Sequence, residues 1–538
     1  MNRIARLGLA LMATTMISGT ALADDVTIGI RTEPSSMDPY FHNLGPNNAM
    51  LGQIFGRLVE WPPAMDKIIP RLATSWKAID DTTWEFKLRE GVKFHDGTAF
   101  TADDVLFSFA RADGYTGGNS SFRTYTKGKT VTKVDDFTIH IKTEAPYPLM
   151  PNDMTTLMIM SSEAKGTGGE ANNGIKAKDF NDGLATMGTG PYKFVEWKKG
   201  DQIVVEKYDG YAGPMAQPWD KITFKVIKSD PARTAALLAG DVDMIDDVAT
   251  PDIPALKTND AVALSQGVSN RVIYIHIDQF RDVSPFVTDK AGNALTKNPL
   301  KDARVRKALS KMIDRDEIVE KVMEGVAIKA GQLLPEGFFG RSPNLKPDAY
   351  DPEGAKALLA EAGWADGFAL TIHGPNNRYI NDGKIAEAIA QMLTRNGIPT
   401  KVETMPSSVY FKRASSGGPD KTPEFSFFLV GWGAGSGEPS SPLKSLLATV
   451  DASKGQGASN RGQHSDPELD AVLVEALATV DDDKRAALLA KATDIGIGRN
   501  MGIIPLHYQV NTWATRKGLK YEARADERTV GINLIKDN

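Results

Sequence analysis

Not one of the 538 residues is cysteine, and that absence removes every covalent and thiolate device for holding so long a chain together. Disulfides, iron–sulfur clusters, thiolate zinc sites and cysteine nucleophiles are all excluded. The fold must rest on buried apolar surface. A chain of this length exceeds the roughly 250–300 residues at which one core stops growing, so two or more lobes are expected. Hydrophobic residues make up 41% of the chain and charged residues 24%, enough apolar material for such cores. A formal net charge of −5 on a mixed surface gives no reason to expect nucleic acid or an anionic membrane as a partner.

The first residues argue for export. Arg3 and Arg6 precede an apolar stretch from Leu7 to Ile17, and Ala21-Leu22-Ala23 forms an A-x-A cleavage pattern. Residues 1–23 are read as a signal peptide cleaved after Ala23, with Asp24 as the mature start. The apolar stretch is shorter than the roughly 20 residues a membrane-spanning helix needs. With no cysteine beyond the cleavage point, no lipid anchor is expected. The mature protein should be a soluble resident of the periplasm.

Further along, punctuation outlines an α/β chain. Val26–Ile30 alternates as a strand does, and 49–60 reads as a helix through Met50, Ile54 and Leu58. Thr83–Leu88 alternates again, and 92–97 reads as a strand running into an Asp96-Gly97 turn. Thr101 and Asp104 have the spacing of a capping box opening a helix. Ser229-Asp230-Pro231 starts another that Gly240 ends, with proline just inside and glycine just past. Val272–Ile277 is apolar enough for burial on both faces. Helices are expected at 303–312, at 315–323, and from Asp351-Pro352 to Ala362. A strand at 368–373, a helix at 382–395 and a strand at 399–404 make a β-α-β unit with a partly parallel sheet. Phe425–Val430 is a strand aimed at the glycine-rich stretch 431–437, and Asp481–Asp483 places negative charge at the start of a helix near 484–494.

Catalytic and metal motifs fail on inspection. There is no H-E-x-x-H, P-loop or EF-hand loop. The glycines at 431, 433, 435 and 437 miss a nucleotide loop because position 438 is Glu. A nucleophile elbow at Ser436 fails because Ala434 stands where glycine is required. His95-Asp96 reads as a structural hydrogen-bond arrangement. No catalytic residue, metal ligand or cofactor is assigned, and an enzyme is the weaker class.

Several stretches together resemble the family 5 extracellular solute-binding proteins. They are Phe94 to Val105 (FHDGTAFTADDV), Gly188-Thr189-Gly190-Pro191-Tyr192, Ala239-Gly240-Asp241-Val242-Asp243, Asp302 to Leu309 (DARVRKAL), Tyr350 to Ala355 (YDPEGA) and Ile504-Pro505-Leu506-His507. The resemblance implies a two-lobed periplasmic-binding-protein fold with an inserted subdomain. Lobe I would take 24–68, 187–280 and 505–538, the inserted subdomain 69–186, and lobe II 281–504, with a hinge near 280 and 504. It implies a monomer that hands a small molecule or peptide to inner-membrane ABC permease subunits.

The family's ligand segments carry over residue by residue. Strand-like backbone pairing would come from Asn43, Leu44 and Gly45 and from Gly431 to Ser436, among them Trp432, Gly433, Gly435 and Ser436. Arg378, in Pro375-Asn376-Asn377-Arg378, matches the arginine that holds a ligand carboxylate in dipeptide binders, where its planar fork suits two oxygens. The aspartate that holds a ligand ammonium in those binders is replaced by Gly435. Ser436 and Glu438 stand one and three positions off, so a free amine has a counter-charge only if Glu438 or another acid reaches in. The implied solute is a peptide, an opine or another carboxylate-bearing derivative. The alternatives are an oligosaccharide stacked on Trp432 or Trp61, or a secreted hydrolase; scattered histidines and absent cysteine speak against nickel or haem.

Overall fold

The computed structural model describes residues 24–117, 122–168 and 174–537. The segment read as a signal peptide lies outside them. Five strands organise the site: β1 (Asp25–Ile30), β2 (Val262–Ile277), β3 (Ala369–Pro375), β4 (Phe427–Gly433) and β5 (Ile503–Arg516). All belong to one 12-stranded mixed sheet, in which β3, β4, β2 and β5 are neighbours and Met244–Ile245 separates β5 from β1. The long antiparallel pair β2–β5 runs through its middle, from Val262↔Arg516 to His276↔Ile503. Register shifts occur at Val268/Val272 and at Ile273/Tyr274, irregularities that bend and twist a strand. Before the first shift the pair adjoins Met244–Ile245; beyond it, β4 pairs β2 from Arg271↔Gly433 to Ile277↔Phe427.

Three helices position the chemistry: α1 (Gly45–Leu51), α2 (Ala102–Asp113) and α3 (Asp382–Arg395). α2 begins in the expected capping box: Thr101 accepts from the Asp103 N–H, and Asp104 accepts from the Thr101 N–H at 2.8 Å. It packs Val105 and Phe109 into the same core as Trp84, Phe86 and Leu88 of a four-stranded antiparallel sheet built from residues 73–143. A buried ion pair, Arg111 to Asp38 at 2.7 and 3.0 Å, ties α2 to the turn before α1. α3 crosses from β3 to the parallel strand Thr400–Met405, completing the β-α-β unit, and its Ile385, Ile389 and Leu393 are buried beneath it. One apolar core surrounds β1 and the four-stranded sheet, and two others flank β3 and β4. The molecule is thus a two-lobed α/β fold.

Two local expectations are overturned. The run 49–60 is not one helix: α1 ends at Leu51 and the chain reaches a short strand, Val59–Glu60, through turns. Ile54, Phe55 and Leu58 are fully buried, so the apolar spacing marked burial correctly. Their backbone is claimed from elsewhere, because Gly190 donates to Ile54 O at 2.8 Å and Tyr192 to Gln53 O at 3.1 Å. A Cβ at Gly188 would sit 2.0 Å from Ile54 O and one at Gly190 2.4 Å from Gln53 O, which is why the stretch reads Gly-Thr-Gly. Residues 92–97 form no strand beyond a Lys93↔Ala99 bridge around the turn. His95 instead staples that turn: its Nδ1 accepts from the Gly188 N–H at 3.2 Å, and its Nε2 donates to Gly190 O at 3.0 Å. Burial drives its pKa down to about 4 and keeps the ring neutral.

Candidate ligand-binding cleft

A cavity of about 830 Å³ lies where the two halves of the sheet meet. One wall carries Arg31, just past β1, then Gly45 and Met50 of α1, and Asp247; the other carries Asn377 and Arg378 from the loop after β3, and Lys384 of α3.

The β3 loop is held by its own acid. Asp382 accepts from the backbone N–H of Arg378 at 2.8 Å, Tyr379 at 3.0 Å and Gly383 at 2.9 Å, the arrangement expected where a helix N-terminus needs partners. The Tyr379 hydroxyl donates to Gly431 O at 3.1 Å and couples the loop to β4. The Arg378 guanidinium is exposed to the cavity and stands 5.2 Å from the Tyr379 ring. It has no ion pair among the described residues. Arg271, another arginine of the cavity, is committed: it grips Glu527 through two contacts at 2.7 and 2.9 Å. Burial alone would raise the Glu527 pKa, but Arg271 holds it below the usual carboxylate value.

The β4 segment lies elsewhere. β3 pairs with β4 only at Ile372↔Phe427 and His373↔Phe428, so the strands splay before Trp432 and Gly433. Of the residues singled out by sequence, Gly45 and Arg378 share the cavity; Trp432, Gly433, Gly435 and Ser436 do not line it. Asn43 donates to the Tyr125 hydroxyl at 2.9 Å and accepts from Asn48 at 2.7 Å, while Leu44 is exposed in extended backbone before α1. Ala434 is bonded both ways to Asn270, at 3.2 and 3.1 Å, and Ser436 O accepts from Asn152 Nδ2 at 2.7 Å. Nothing lies within 4 Å of where a Gly435 Cβ would stand. Glu438 does not reach into the cavity wall. It is buried, 1% exposed, and bonded to Arg485 and Ser440.

Sequence reasoning missed Arg31, Asp247 and Lys384. Only the acidic run Asp241 to Asp247 hinted at one of them. The histidines do not converge, and no cluster of three or more His, Asp or Glu suited to a metal ion occurs among the described residues.

A closable cleft between two lobes, lined by charged groups with no partner of their own, defines a solute-binding receptor. The profile described as bacterial extracellular solute-binding proteins, family 5 Middle, matches residues 67–454, and the chain belongs to that family. Heme-binding protein A of Haemophilus influenzae is 31% identical over 504 residues, covering 86% of this chain and 84% of that protein. The dipeptide-binding protein of Escherichia coli is 28% identical over 514 residues, with 90% of each chain covered. Among solved structures, the ABC transporter-associated periplasmic binding protein DppA from Helicobacter pylori, in complex with peptide STSA, superposes with a TM-score of 0.72 at 25% identity, covering 96% of this chain and 98% of that one. The substrate-binding protein CtaP of Listeria monocytogenes shares the fold at a TM-score of 0.79 and 22% identity, with 96% of this chain and 100% of that one covered. The protein is therefore the binding component of an ABC importer, not an enzyme. It works outside the inner membrane and delivers its solute to permease subunits.

Proposed function

We propose that the cleft captures a small solute bearing a carboxylate, of peptide-like or opine-like character, and that Arg378 is its anion clamp. The observation carrying this reading is an unpaired guanidinium on a loop that Asp382 holds still, facing a cavity large enough for such a solute. A planar fork that keeps its hydrogen bonds free is suited to two carboxylate oxygens. Backbone edges at Asn43, Leu44 and Gly45 and at Trp432, Gly433, Gly435 and Ser436 would close on the rest of the ligand.

The proposed division is 24–68, 187–280 and 505–538 for lobe I, 69–186 for its inserted subdomain, and 281–504 for lobe II, hinged near 280 and 504. The register shifts along β2–β5 support bending of the strands that cross between lobes. Export to the periplasm with cleavage after Ala23 completes the reading. N-terminal sequencing of periplasmic extract should begin at or near Asp24.

Native mass spectrometry of protein purified from its own periplasm, followed by titration of the released compound, tests the ligand class. A carboxylate solute whose binding falls on Arg378→Ala supports the proposal. A neutral solute bound equally by wild type and variant overturns it.

A further inference from the structure

We infer that Asp247 is a cation-binding pole of this cleft, so that the solute carries an ammonium or guanidinium arm as well as its carboxylate. The inference rests on the carboxylate reading above and adds a charged group that this reading did not contain.

Asp247 lines the same cavity as Arg378, on the opposite wall. Every other acid along that cavity is already engaged. Asp246 accepts from the Arg31 N–H at 2.8 Å and from the Thr529 hydroxyl at 3.4 Å. Asp230 pairs with Arg233 at 2.9 Å, Asp526 with Arg524 at 2.7 Å, and Glu527 with Arg271 at 2.7 Å. Asp382 takes three backbone N–H groups. The Asp247 carboxylate has no hydrogen bond or ion pair among the described residues. Its side chain is exposed to the cavity; desolvation by the surrounding protein raises its pKa, and Arg31 and Arg233 oppose that rise.

The backbone beneath it is built to present this side chain. Asp247 sits at φ +45°, a left-handed conformation uncommon outside glycine. Arg233, 1% exposed, fixes the turn by donating to Asp247 O at 2.7 Å, Asp246 O at 3.1 Å and Ile227 O at 3.0 Å. That guanidinium spends three of its bonds on carbonyls, so it anchors the turn without covering the Asp247 carboxylate. Setting aside Asp382, whose carboxylate is taken up by three backbone N–H groups, the cavity charges without an ion pair are Arg31, Arg378 and Lys384 against Asp247. A complementary solute has more anionic than cationic groups, with its single positive arm directed to the wall opposite Arg378. Gly435 offers no charge at all, so the positive group is not required to be a terminal amine at the β4 end.

N-acetyl-glycyl-lysine and N-acetyl-glycyl-norleucine differ only in that cation and share a blocked amine and a carboxylate. Calorimetric titration of both against wild type, Asp247→Asn and Arg378→Ala tests the inference. Asparagine tolerates left-handed backbone, so Asp247→Asn removes the charge and keeps the turn. Wild type should prefer the lysyl compound by about tenfold or more. Asp247→Asn should abolish that preference and leave norleucyl affinity within about twofold, whereas Arg378→Ala should weaken both compounds. An unchanged preference in Asp247→Asn, with both weakened by Arg378→Ala, overturns the cation pole and spares the carboxylate reading. Loss of preference in Asp247→Asn, with Arg378→Ala inert, keeps the cation pole and overturns the carboxylate reading. Equal wild-type affinity for the two compounds, or no binding of either at millimolar concentration, also overturns the inference.

Discussion

The chain leaves β3 and β4, neighbouring strands of one sheet, through loops in opposite conditions. After β3, Asn376, Asn377 and Arg378 are exposed; Asn376 N–H donates to Met405 O, the Asn377 side chain accepts from the Ser407 N–H, Asp382 holds the Arg378 N–H, and Arg378 reaches the cavity with its charge unspent. After β4, almost every polar group is taken. Ala434 is bonded to Asn270, Ser436 to Asn152, and Glu438 to Arg485, while Gly437 lies so near Trp61 that a Cβ would meet its ring at 2.7 Å. Trp61, Met65 and Ala525 share a small apolar cluster with Leu334, Phe338 and Ala434, joining segments from both sides of the β2–β5 crossing. One loop keeps interactions in reserve for a ligand. The other has spent its interactions on protein, and its glycines serve close packing as much as recognition.

The sharpest way to break this contrast is to cut each loop at its charge and ask what is lost. Glu438 and Arg485 are 1% and 7% exposed, and burial raises the Glu438 pKa while Arg485 opposes it. Removing one partner of a buried pair leaves the other uncompensated, so Glu438→Ala should lower unfolding free energy by about 3–5 kcal/mol in urea denaturation. Arg378→Ala should leave stability within about 0.5 kcal/mol, because no protein partner is deprived. If the two variants unfold alike, the contrast is wrong. In binding the ranking reverses: Arg378→Ala should cost about 2–5 kcal/mol, roughly thirtyfold or more in Kd, with Arg378→Lys recovering part of it in the same titration.

The base of the β3 loop has a weakness of its own in acid. His373 lies on β3, buried and stacked 4.1 Å from the Phe425 ring, and burial lowers its pKa to about 4. The unfolded value is about 6.5, so between pH 6.5 and 4 the unfolded state binds more protons and stability falls as the pH falls. Above pH 6.5 both states are neutral and the effect vanishes. The shift amounts to about 3 kcal/mol, with the opposing pull of Glu403, 3.3 Å from Nε2, already included in it. Urea unfolding at pH 7 and pH 5 should show a loss that shrinks in His373→Phe.

Local signals in the chain were read well where the cause was itself local. Asp351 and Asp481 cap their helices through their side chains, Gly240 takes the left-handed C-cap, and the β-α-β unit from 368 to 404 forms with parallel pairing. Arg378 was singled out by the family resemblance of Pro375-Asn376-Asn377-Arg378, and it lines the cavity. What failed depends on distant partners. The backbone of Gln53 and Ile54 is bound by residues more than 130 positions away, so helical spacing at 49–60 marked the core and misjudged the conformation. β2 begins ten residues earlier than its apolar half suggests, because 262–271 is mixed in polarity and mostly half-buried. Asn152 and Ser436 are 284 residues apart, and no periodicity connects them. Asp247 went unread, since neither its left-handed backbone nor the commitment of its neighbours is written in the residue types.

The space at Gly435 allows the contrast to be sharpened by construction. No atom lies within 4 Å of the missing Cβ, and the backbone there is not left-handed, so Gly435→Asp should be accommodated without strain. A carboxylate at that point gives the spent loop a charge in reserve. Free-amine dipeptides should gain about 1.5–3 kcal/mol of affinity, the usual range for a hydrogen bond to a charged group, and their N-acetyl forms should not. Equal gains for both forms would mean that the β4 end does not face a ligand amine.

The smallest effect expected is also the one that isolates closure from recognition. Asn152 belongs to the segment read as the inserted subdomain, and its amide donates to Ser436 O across to the β4 loop at 2.7 Å. Removing it leaves one carbonyl short of a partner at a partly buried place, a loss of about 0.5–1.5 kcal/mol. On the proposed division the two groups belong to different lobes, so the loss falls on the state in which those lobes touch. Asn152→Ala should therefore widen the unliganded protein, read as a larger radius of gyration in solution scattering, while its melting temperature changes little. Ligand affinity should fall by the same factor for every solute tested, since a less populated competent state lowers all apparent affinities alike. Arg378→Ala should instead discriminate between solutes with and without a carboxylate. If Asn152→Ala alters the ranking of solutes, the β4 loop reads the ligand directly, and the division of labour between the two loops fails.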